Sequence, residues 1–424
     1  MRAILAIAWA SAWNRRLTLS LVVVSVALST FLLIGIERLR TDVRDSFAQS
    51  VSGTDLVVGA RGGALPLMLN AVFRIGGATG SIRLDSLREL EKHRAVAWIV
   101  PLALGDTHRG FPVLATTTDY FTRFRYGARQ ALALADGRAF EGTLDTLHHA
   151  VIGAEIARAL GYRVGQSIAL SHGSGVIAGA DHADQPFTVT GILARTGTPV
   201  DRTVHISLQA MQAIHLDWVA GMPVPGRRTT AEQARQADLT PRQVTAALVG
   251  LKSRAAVFSV QRAVGDFAGE PLMAVLPGVA LDELWSVVGV GEQALLLISA
   301  MVAVVSLAGL VAVVLAGLNE RRRELAVLRA VGAAPRHILL MLAAEGALVT
   351  LAGAALGVAA SALLIVTAGP WMQARFGIGL TLSAPTPAQW ALLAAVLVAG
   401  LLASLVPGWR AYRLSLADGL SPRS

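Results

Sequence analysis

The stretch Asn319–Ile338, "NERRRELAVLRAVGAAPRHI", holds five arginines and two glutamates and separates two long apolar runs. A short basic segment between two such runs connects membrane spans, and its arginines say which side of the bilayer it faces. The run before it covers Gly289–Leu318 and has no charge after Glu292. The run after it covers Ile338–Thr367, with Glu345 as its single ionisable side chain. Two further runs, Leu17–Ile36 and Trp390–Trp409, also reach the roughly 20 apolar residues a bilayer demands.

Composition agrees. The chain has 424 residues, 54% hydrophobic and 15% charged, too apolar for an ordinary soluble protein of this size. The first run follows Arg15 and Arg16, as a secretory signal does. It exceeds the apolar core of about 7–15 residues of such signals and lacks a clean small-x-small cleavage site, so an uncleaved anchor is expected.

Arginine placement sets the orientation. Arg2, Arg15 and Arg16 precede the first run; Arg321, Arg322, Arg323, Arg329 and Arg336 lie between the second and third; Arg410, Arg413 and Arg423 follow the fourth. These eleven arginines meet only Glu320, Glu324 and Asp418, a balance of +8 within a whole-chain charge of +9. Four spans place all of them on one side, the cytoplasm. The basic balance is thus a topology signal. A nucleic-acid partner is not expected, because no basic groove interleaved with aromatics is visible. The absence of cysteine excludes disulfides and thiolate metal sites.

The expected fold is an α-helical membrane protein with four transmembrane helices (1+3) and a large mixed α+β periplasmic domain between helices 1 and 2. The expected boundaries are a cytoplasmic N-terminus over 1–16, a first span over 17–36, and a periplasmic domain with stalk helices at both ends over 37–288. A second span over 289–318, a cytoplasmic basic segment over 319–337 and a third span over 338–367 follow. A short periplasmic loop over 368–389, a fourth span over 390–409 and a cytoplasmic tail over 410–424 complete the chain. The arginine bias makes the expected location a cell membrane, crossed several times.

Within 37–288, "ERLRTDVRDSFAQSV" after the first run suits an amphipathic stalk helix. Thr54–Ala60, Ala97–Leu104 and Phe111–Thr118 read as strands bounded by Gly, Pro and Asp. "HAVIGAEIARALGYRVGQSIAL", His149–Leu170, reads strand, helix, strand, with turns at Gly161 and Gly165. Pro186–Leu193 reads as a strand and Thr203–His215 as strand then helix. Val219–Gln243, polar and proline-bearing, reads as a loop.

The layout resembles the MacB/FtsX-type (type VII) ABC permease family, which includes LolC/LolE-like permeases. "ERRRELAVLRAVGA", Glu320–Ala333, resembles the family pattern E-R-x-x-E-x-x-x-L-R-x-x-G after the second span. His149–Leu170 and "FTVTGIL" are similar to strands of the family's exported domain, and "VPGWRAYRLSLADGL" to its C-terminal exit. The resemblance implies that the basic segment is a coupling helix docked on a cytoplasmic ABC ATPase subunit. On this chain that role falls to Glu320, Arg321, Arg322, Arg323, Glu324, Leu325, Leu328, Arg329 and Gly332. The residues agree: Leu325, Leu328 and Val331 recur at near-helical spacing, Gly332 suits a helix stop, and Pro335 suits the first turn of the next helix. The plainer alternative is an arginine anchor that holds topology and touches anionic membrane lipid.

The resemblance further implies a dimer with a second permease copy or paralogue, and a periplasmic adaptor or substrate-binding protein as a further partner. It implies relay of ATP-driven closure to the exported domain for export, extraction or release of a lipoprotein, peptide or amphipathic small molecule. An FtsX-like alternative activates a periplasmic enzyme or sensor and moves no cargo, and a metal-linked ABC system is a third possibility.

The sequence has no P-loop: its two lysines, Lys92 and Lys252, do not follow the required glycine pattern. No cofactor is expected in this chain; ATP and Mg belong to the partner ATPase. There is no H-E-x-x-H or G-x-S-x-G, so no enzyme is expected.

"SHGSGVIAGADHADQPF" places His172, Asp181, His182 and Asp184 in one glycine-rich loop. His172 and His182 are the candidate metal ligands, for a sensor or a metal-dependent substrate contact. The alternative is a solvated loop with incidental polar residues, favoured by a spacing that fits no closed-site pattern. His148 and His149 read as structural. Glu345 is a shallow intramembrane acid. Gly353 and Gly357 form G-x-x-x-G, a close-packing face equally compatible with contacts inside the subunit and across a dimer.

Overall fold

The structure, a computed structural model, describes residues 16–77, 80–172, 182–219, 222–224, 229–320, 327, 329–330, 332–376, 380 and 382–413. The chain divides into two units: residues 1–42, 288–370 and 380–424 form one, and residues 43–287 with 371–379 form the other.

The second unit is built on an eleven-stranded sheet. In chain order its strands are β1 Leu56–Ala60, β2 Val96–His108, β3 Phe111–Thr116, β4 Leu134–Gly137, β5 His149–Ile152, β6 Ser167–Ile168, β7 Ser171–His172, β8 Phe187–Leu193, β9 Val204–Ser207, β10 Ala246–Leu251 and β11 Leu272–Val275. The spatial order is β11-β1-β10-β2-β3-β9-β5-β8-β4, with β7 on β2 and β6 on β8. Pairing is mixed. β3 with β9 and β5 with β8 run parallel; the β1, β2 and β10 ladders are antiparallel.

Both faces of this sheet are buried, and side-chain alternation divides them. Leu56, Val58, Val113, Ala115, Ala150, Ile152, Ala247 and Val249 face one core. Val57, Leu114, Val151, Ala246 and Leu248 face the other. That is why Ala150, Val151 and Ile152 of β5 are consecutive apolar residues, all buried.

Helices α2 Ala64–Ala71, α3 Leu84–Glu91, α4 Ala154–Leu160, α5 Leu208–Ile214, α6 Ala231–Gln236 and α7 Val257–Gly265 flank the sheet, with a further short helical turn at Asp119–Arg123 that carries Tyr120. Leu87, Ile156, Ala213, Ala234 and Val260, from α3 to α7, fill the first core. Leu67, Met68 and Ala71 of α2 join Tyr120, Phe124 and Phe140 in the second. The segment 219–243, expected as loop, contains α6. Thr230 caps it through a reciprocal capping box with Gln233, and one apolar residue, Ala234, anchors it.

Four described helices are long and apolar enough to cross a membrane. They are α1 Arg16–Gln49, α8 Pro277–Glu320, α9 Pro335–Phe376 and α10 Pro387–Arg413. α1 and α8 run longer than the apolar segments alone, because each helix continues unbroken from one unit into the other. α8, at 44 residues, is about 66 Å of continuous helix.

α1 and α8 pair antiparallel within each unit. In the membrane-type unit Ser29 Oγ meets Ser306 Oγ at 2.8 Å, and Arg40 faces Glu292 at 3.9 Å. In the sheet unit the Phe47 ring lies edge-on to Trp285 at 5.5 Å, with the Arg44 guanidinium over the same indole.

One buried group makes the sheet unit pH-sensitive. His205 of β9 is fully buried beside Tyr120 and Phe121. Burial first, then the Arg74 charge, lowers its pKa to about 3 against a raising contact from the Val151 carbonyl. The unfolded imidazole titrates near 6.5. Below that pH the unfolded chain binds a proton the folded chain refuses, so stability is lost as pH falls from about 6.5 toward 3, with a limiting slope of about 1.4 kcal/mol per unit. Burial also lowers His148 and His108, which act in the same direction. His205→Asn, which keeps an amide donor near the Val151 carbonyl, flattens the acid limb by about one proton. Thermal unfolding against pH, followed by near-UV circular dichroism, measures this. An unchanged slope removes His205 as a cause.

Candidate functional site

The basic segment between α8 and α9 is bracketed by well-defined features. α8 ends at Glu320. Val327, Arg329 and Ala330 are helical, and Val327 and Ala330 are exposed. The Gly332 N–H donates to the Arg329 carbonyl at 3.0 Å. Gly332 has φ +102, a conformation that glycine adopts at little cost. Pro335 opens α9. Arg321, Arg322, Arg323, Glu324, Leu325 and Leu328 lie outside the described residues.

Gly353 and Gly357 of α9 face α1. A Cβ on Gly353 would lie 2.7 Å from Val26 Cβ and 3.0 Å from the Val23 carbonyl oxygen. On Gly357 it would lie 2.5 Å from the Ala27 carbonyl oxygen and 3.0 Å from the Phe31 nitrogen. The contact is therefore within the chain. Gly346 of α9 meets Ser404 of α10, and Gly400 of α10 meets Thr350 of α9, in the same way. Glu345 is buried.

The sheet unit holds a second feature. Asp106, His172, His182 and His215 bring four ligating atoms within 4.8 Å of one another. Asp106, on the polar end of β2, pairs across the ladder with His172 of β7. His182 follows the glycine-rich loop, its N–H bonded to the Leu170 carbonyl at 2.8 Å. His215 caps α5. His172 Nδ1 lies 2.9 Å from Asp106 Oδ1 and 3.0 Å from His215 Nε2, and His215 Nε2 lies 3.5 Å from Asp106 Oδ1. Trp218 borders the cluster, its ring 4.5 Å from His172 and 5.2 Å from His182.

Asp106 and His182 are buried. Asp106 Oδ2 and His182 Nε2 have no hydrogen-bond partner among the described residues. Burial alone would raise the Asp106 carboxyl; hydrogen bonds from His172 and His215, with the charges of His215 and His182, outweigh it and hold the pKa to about 2. Burial lowers His182. Burial also works against the charged form of His215, but the Asp106 contact outweighs it and raises that imidazole.

Of the loop residues singled out in the sequence, His172 and His182 come together. Asp184 lies outside the cluster, and Asp181 outside the described residues. Asp106 and His215 were missed, because only strand pairing and the end of α5 bring them in. His148 and Gln185 act structurally: His148 Nε2 meets Gln185 Oε1 at 3.2 Å, and the Gln185 amide donates to the carbonyls of Ala213 and Thr229.

A basic cleft of about 500 Å³ lies elsewhere on the sheet unit, lined by Arg123, Arg125, Arg129, Lys252 and Arg254 around Trp98, with Asp55 as its one carboxylate.

Residues 17–267, more than half of the chain, match the MacB-like periplasmic core domain, and residues 296–416 match the FtsX-like permease C-terminal domain. A comparison with curated protein sequences found no match. Among solved structures, the periplasmic region of MacB from Actinobacillus actinomycetemcomitans is similar at 9% identity and TM-score 0.32, over 55% of this chain and 94% of that one. The extracellular domain of the noncanonic ABC-type transporter YknZ from Gram-positive bacteria is similar at 14% identity and TM-score 0.29, over 52% of this chain and 98% of that one. With a MacB-like core preceding an FtsX-like C-terminal part in one polypeptide, the chain belongs to the MacB/FtsX-type family of ABC transporter permeases.

Proposed function

We propose that this chain is the transmembrane permease subunit of a MacB/FtsX-type ABC system, driven by a separate cytoplasmic ATPase subunit that binds ATP and Mg. The observation that carries the reading is the FtsX-like match over 296–416, which spans the basic segment together with the helices on both sides of it.

Four spans arranged 1+3 put this segment in the cytoplasm and the sheet unit on the periplasmic side of the inner membrane. The ATPase docks on the segment through Glu320, Arg321, Arg322, Arg323, Glu324, Leu325, Leu328 and Arg329, and Gly332 ends the lever. Nucleotide-driven closure moves α8 and its partner α1. Both are continuous helices, and a hydrogen-bonded helix transmits displacement with little internal give. The sheet unit then changes posture to extract, expel or release a cargo such as a lipoprotein, peptide or amphipathic small molecule.

A second permease copy or paralogue covers part of the α8 surface. Val290, Leu297, Met301, Val304 and Val305 of that helix are exposed, and lipid covers what the partner leaves. A periplasmic adaptor is a further expected partner.

The test is reconstitution of the full chain with the ABC ATPase that copurifies with it from native membranes. ATP hydrolysis rises when the two are combined in nanodiscs. Failure of any ABC ATPase to copurify, or of the chain to change its rate, contradicts the reading.

A further inference from the structure

We propose that Asp106, His172, His182 and His215 form a binding site for one divalent transition-metal ion of the zinc class. The site stands on its own geometry and does not rest on the transport reading. Three imidazoles and one carboxylate are a donor set suited to zinc. Magnesium and calcium prefer all-oxygen shells.

Lone-pair directions support it. His215 Nδ1 lies 2.8 Å from the Met211 carbonyl. A carbonyl only accepts, so Nδ1 carries a proton, and when a metal ion displaces the proton that Nε2 shares with Asp106 the ring offers its Nε2 lone pair to the ion. This is the outer hydrogen bond that fixes the tautomer of metal-bound histidines. Tetrahedral bonds of 2.0–2.1 Å separate ligand atoms by about 3.3 Å. The contacts of 2.9, 3.0 and 3.5 Å among Asp106, His172 and His215 straddle that spacing.

The two orphaned atoms make the case specific. Asp106 Oδ2 and His182 Nε2 are buried without a hydrogen-bond partner among the described residues. A buried polar atom left unpaired costs about 1–3 kcal/mol, and a cation held by these side chains gives His182 Nε2 a partner and neutralises the buried Asp106 carboxylate. The ligands come from β2, β7, the segment after the glycine-rich loop, and the end of α5. One ion therefore ties a sheet edge, a loop and a helix together. Four protein ligands leave no open position, so the ion organises structure or reports metal supply and does not activate water.

The experiment uses the full-length chain in detergent without an affinity tag, stripped with chelator and reloaded with zinc sulfate. Metal analysis is expected to give one zinc per chain after desalting, and the zinc X-ray absorption spectrum three imidazoles and one oxygen at about 2.0–2.1 Å. Asp106→Asn and His215→Gln, each checked by circular dichroism, lower zinc affinity by more than about 100-fold, beyond the usual loss from outer-shell changes. Excess magnesium does not displace the ion. Zinc retained equally by both variants places the binding elsewhere and overturns the proposal, as does absence of stoichiometric zinc in the wild-type chain. Where a variant fails to fold, the wild-type spectrum decides, and a shell with fewer than three imidazoles overturns the site.

Discussion

Replacing Leu328 by Asp together with Arg329 by Glu is expected to abolish ATPase docking, with stimulated ATP hydrolysis falling at least about 30-fold. The figure corresponds to the loss of about 2 kcal/mol, the lower bound for a central interface residue, at about 1.4 kcal/mol per tenfold. In the sequence Leu328 recurs at near-helical spacing with Leu325 and Val331, and Arg329 lies in the helical turn that Gly332 closes. A carboxylate at 328 must be desolvated on docking, and the second substitution reverses a charge at the same surface. Arg88→Glu, on an exposed residue of α3, is the matched control and leaves hydrolysis unchanged. The alternative reading of this segment, an arginine anchor on lipid, predicts a different result. Leu328→Asp is then silent, and the loss follows total arginine count in place of position. Copurification and hydrolysis assays on the double variant separate the two. An intact, fully stimulated complex removes the docking assignment.

Gly357→Leu is expected to destabilise the membrane-type unit by about 3 kcal/mol or more, at or beyond the upper end of ordinary overpacking. The cause is backbone proximity. An added Cβ meets the Ala27 carbonyl oxygen at 2.5 Å and the Phe31 nitrogen at 3.0 Å, and neither can rotate away as a side chain can. α9 must then move off α1, losing the close contact that small residues allow in lipid, where hydrophobic exclusion adds nothing. Gly353→Leu acts similarly through Val26 and the Val23 carbonyl. Gly309 of α8 has no atom within 4 Å of its would-be Cβ. Gly309→Ala is therefore neutral, or stabilising by up to about 1 kcal/mol from helix propensity. Thermal midpoints of the three variants in one detergent give the comparison. Equal midpoints for Gly357→Leu and wild type contradict the packing.

The strand at His149–Ile152, the helix at Ala154–Leu160 and the strand at Val204–Ser207 were legible because turn chemistry brackets them. Gly161 and Gly165 have φ +69 and +93, and Ser207 caps the helix after its strand. Polar stretches were less legible. β2 was expected to stop at Leu104, but a register shift between Leu104 and Thr107 lets it continue to His108. That continuation carries Asp106 to His172. The α6 helix was hidden because it has little apolar periodicity and is set by its cap.

Site residues divided along the same line. His172 and His182 stood out as histidines in one loop. Their partners Asp106 and His215 are 66 and 43 residues from His172, and only sheet topology brings them close. The role of Gly353 and Gly357 also needed the structure. The G-x-x-x-G spacing marks a packing face but not its occupant, and the occupant is α1.

The sheet unit and the arginine-rich segment are expected on opposite sides of one membrane. The chain has no cysteine, so single cysteines can be introduced without background. Arg88→Cys reports the sheet unit, and Ala330→Cys, exposed in the turn before Gly332, reports the basic segment. In spheroplasts, a membrane-impermeant maleimide is predicted to label the cysteine at 88 and to spare the one at 330 until the membrane is permeabilised. Labelling of both before permeabilisation, or of neither, contradicts the account.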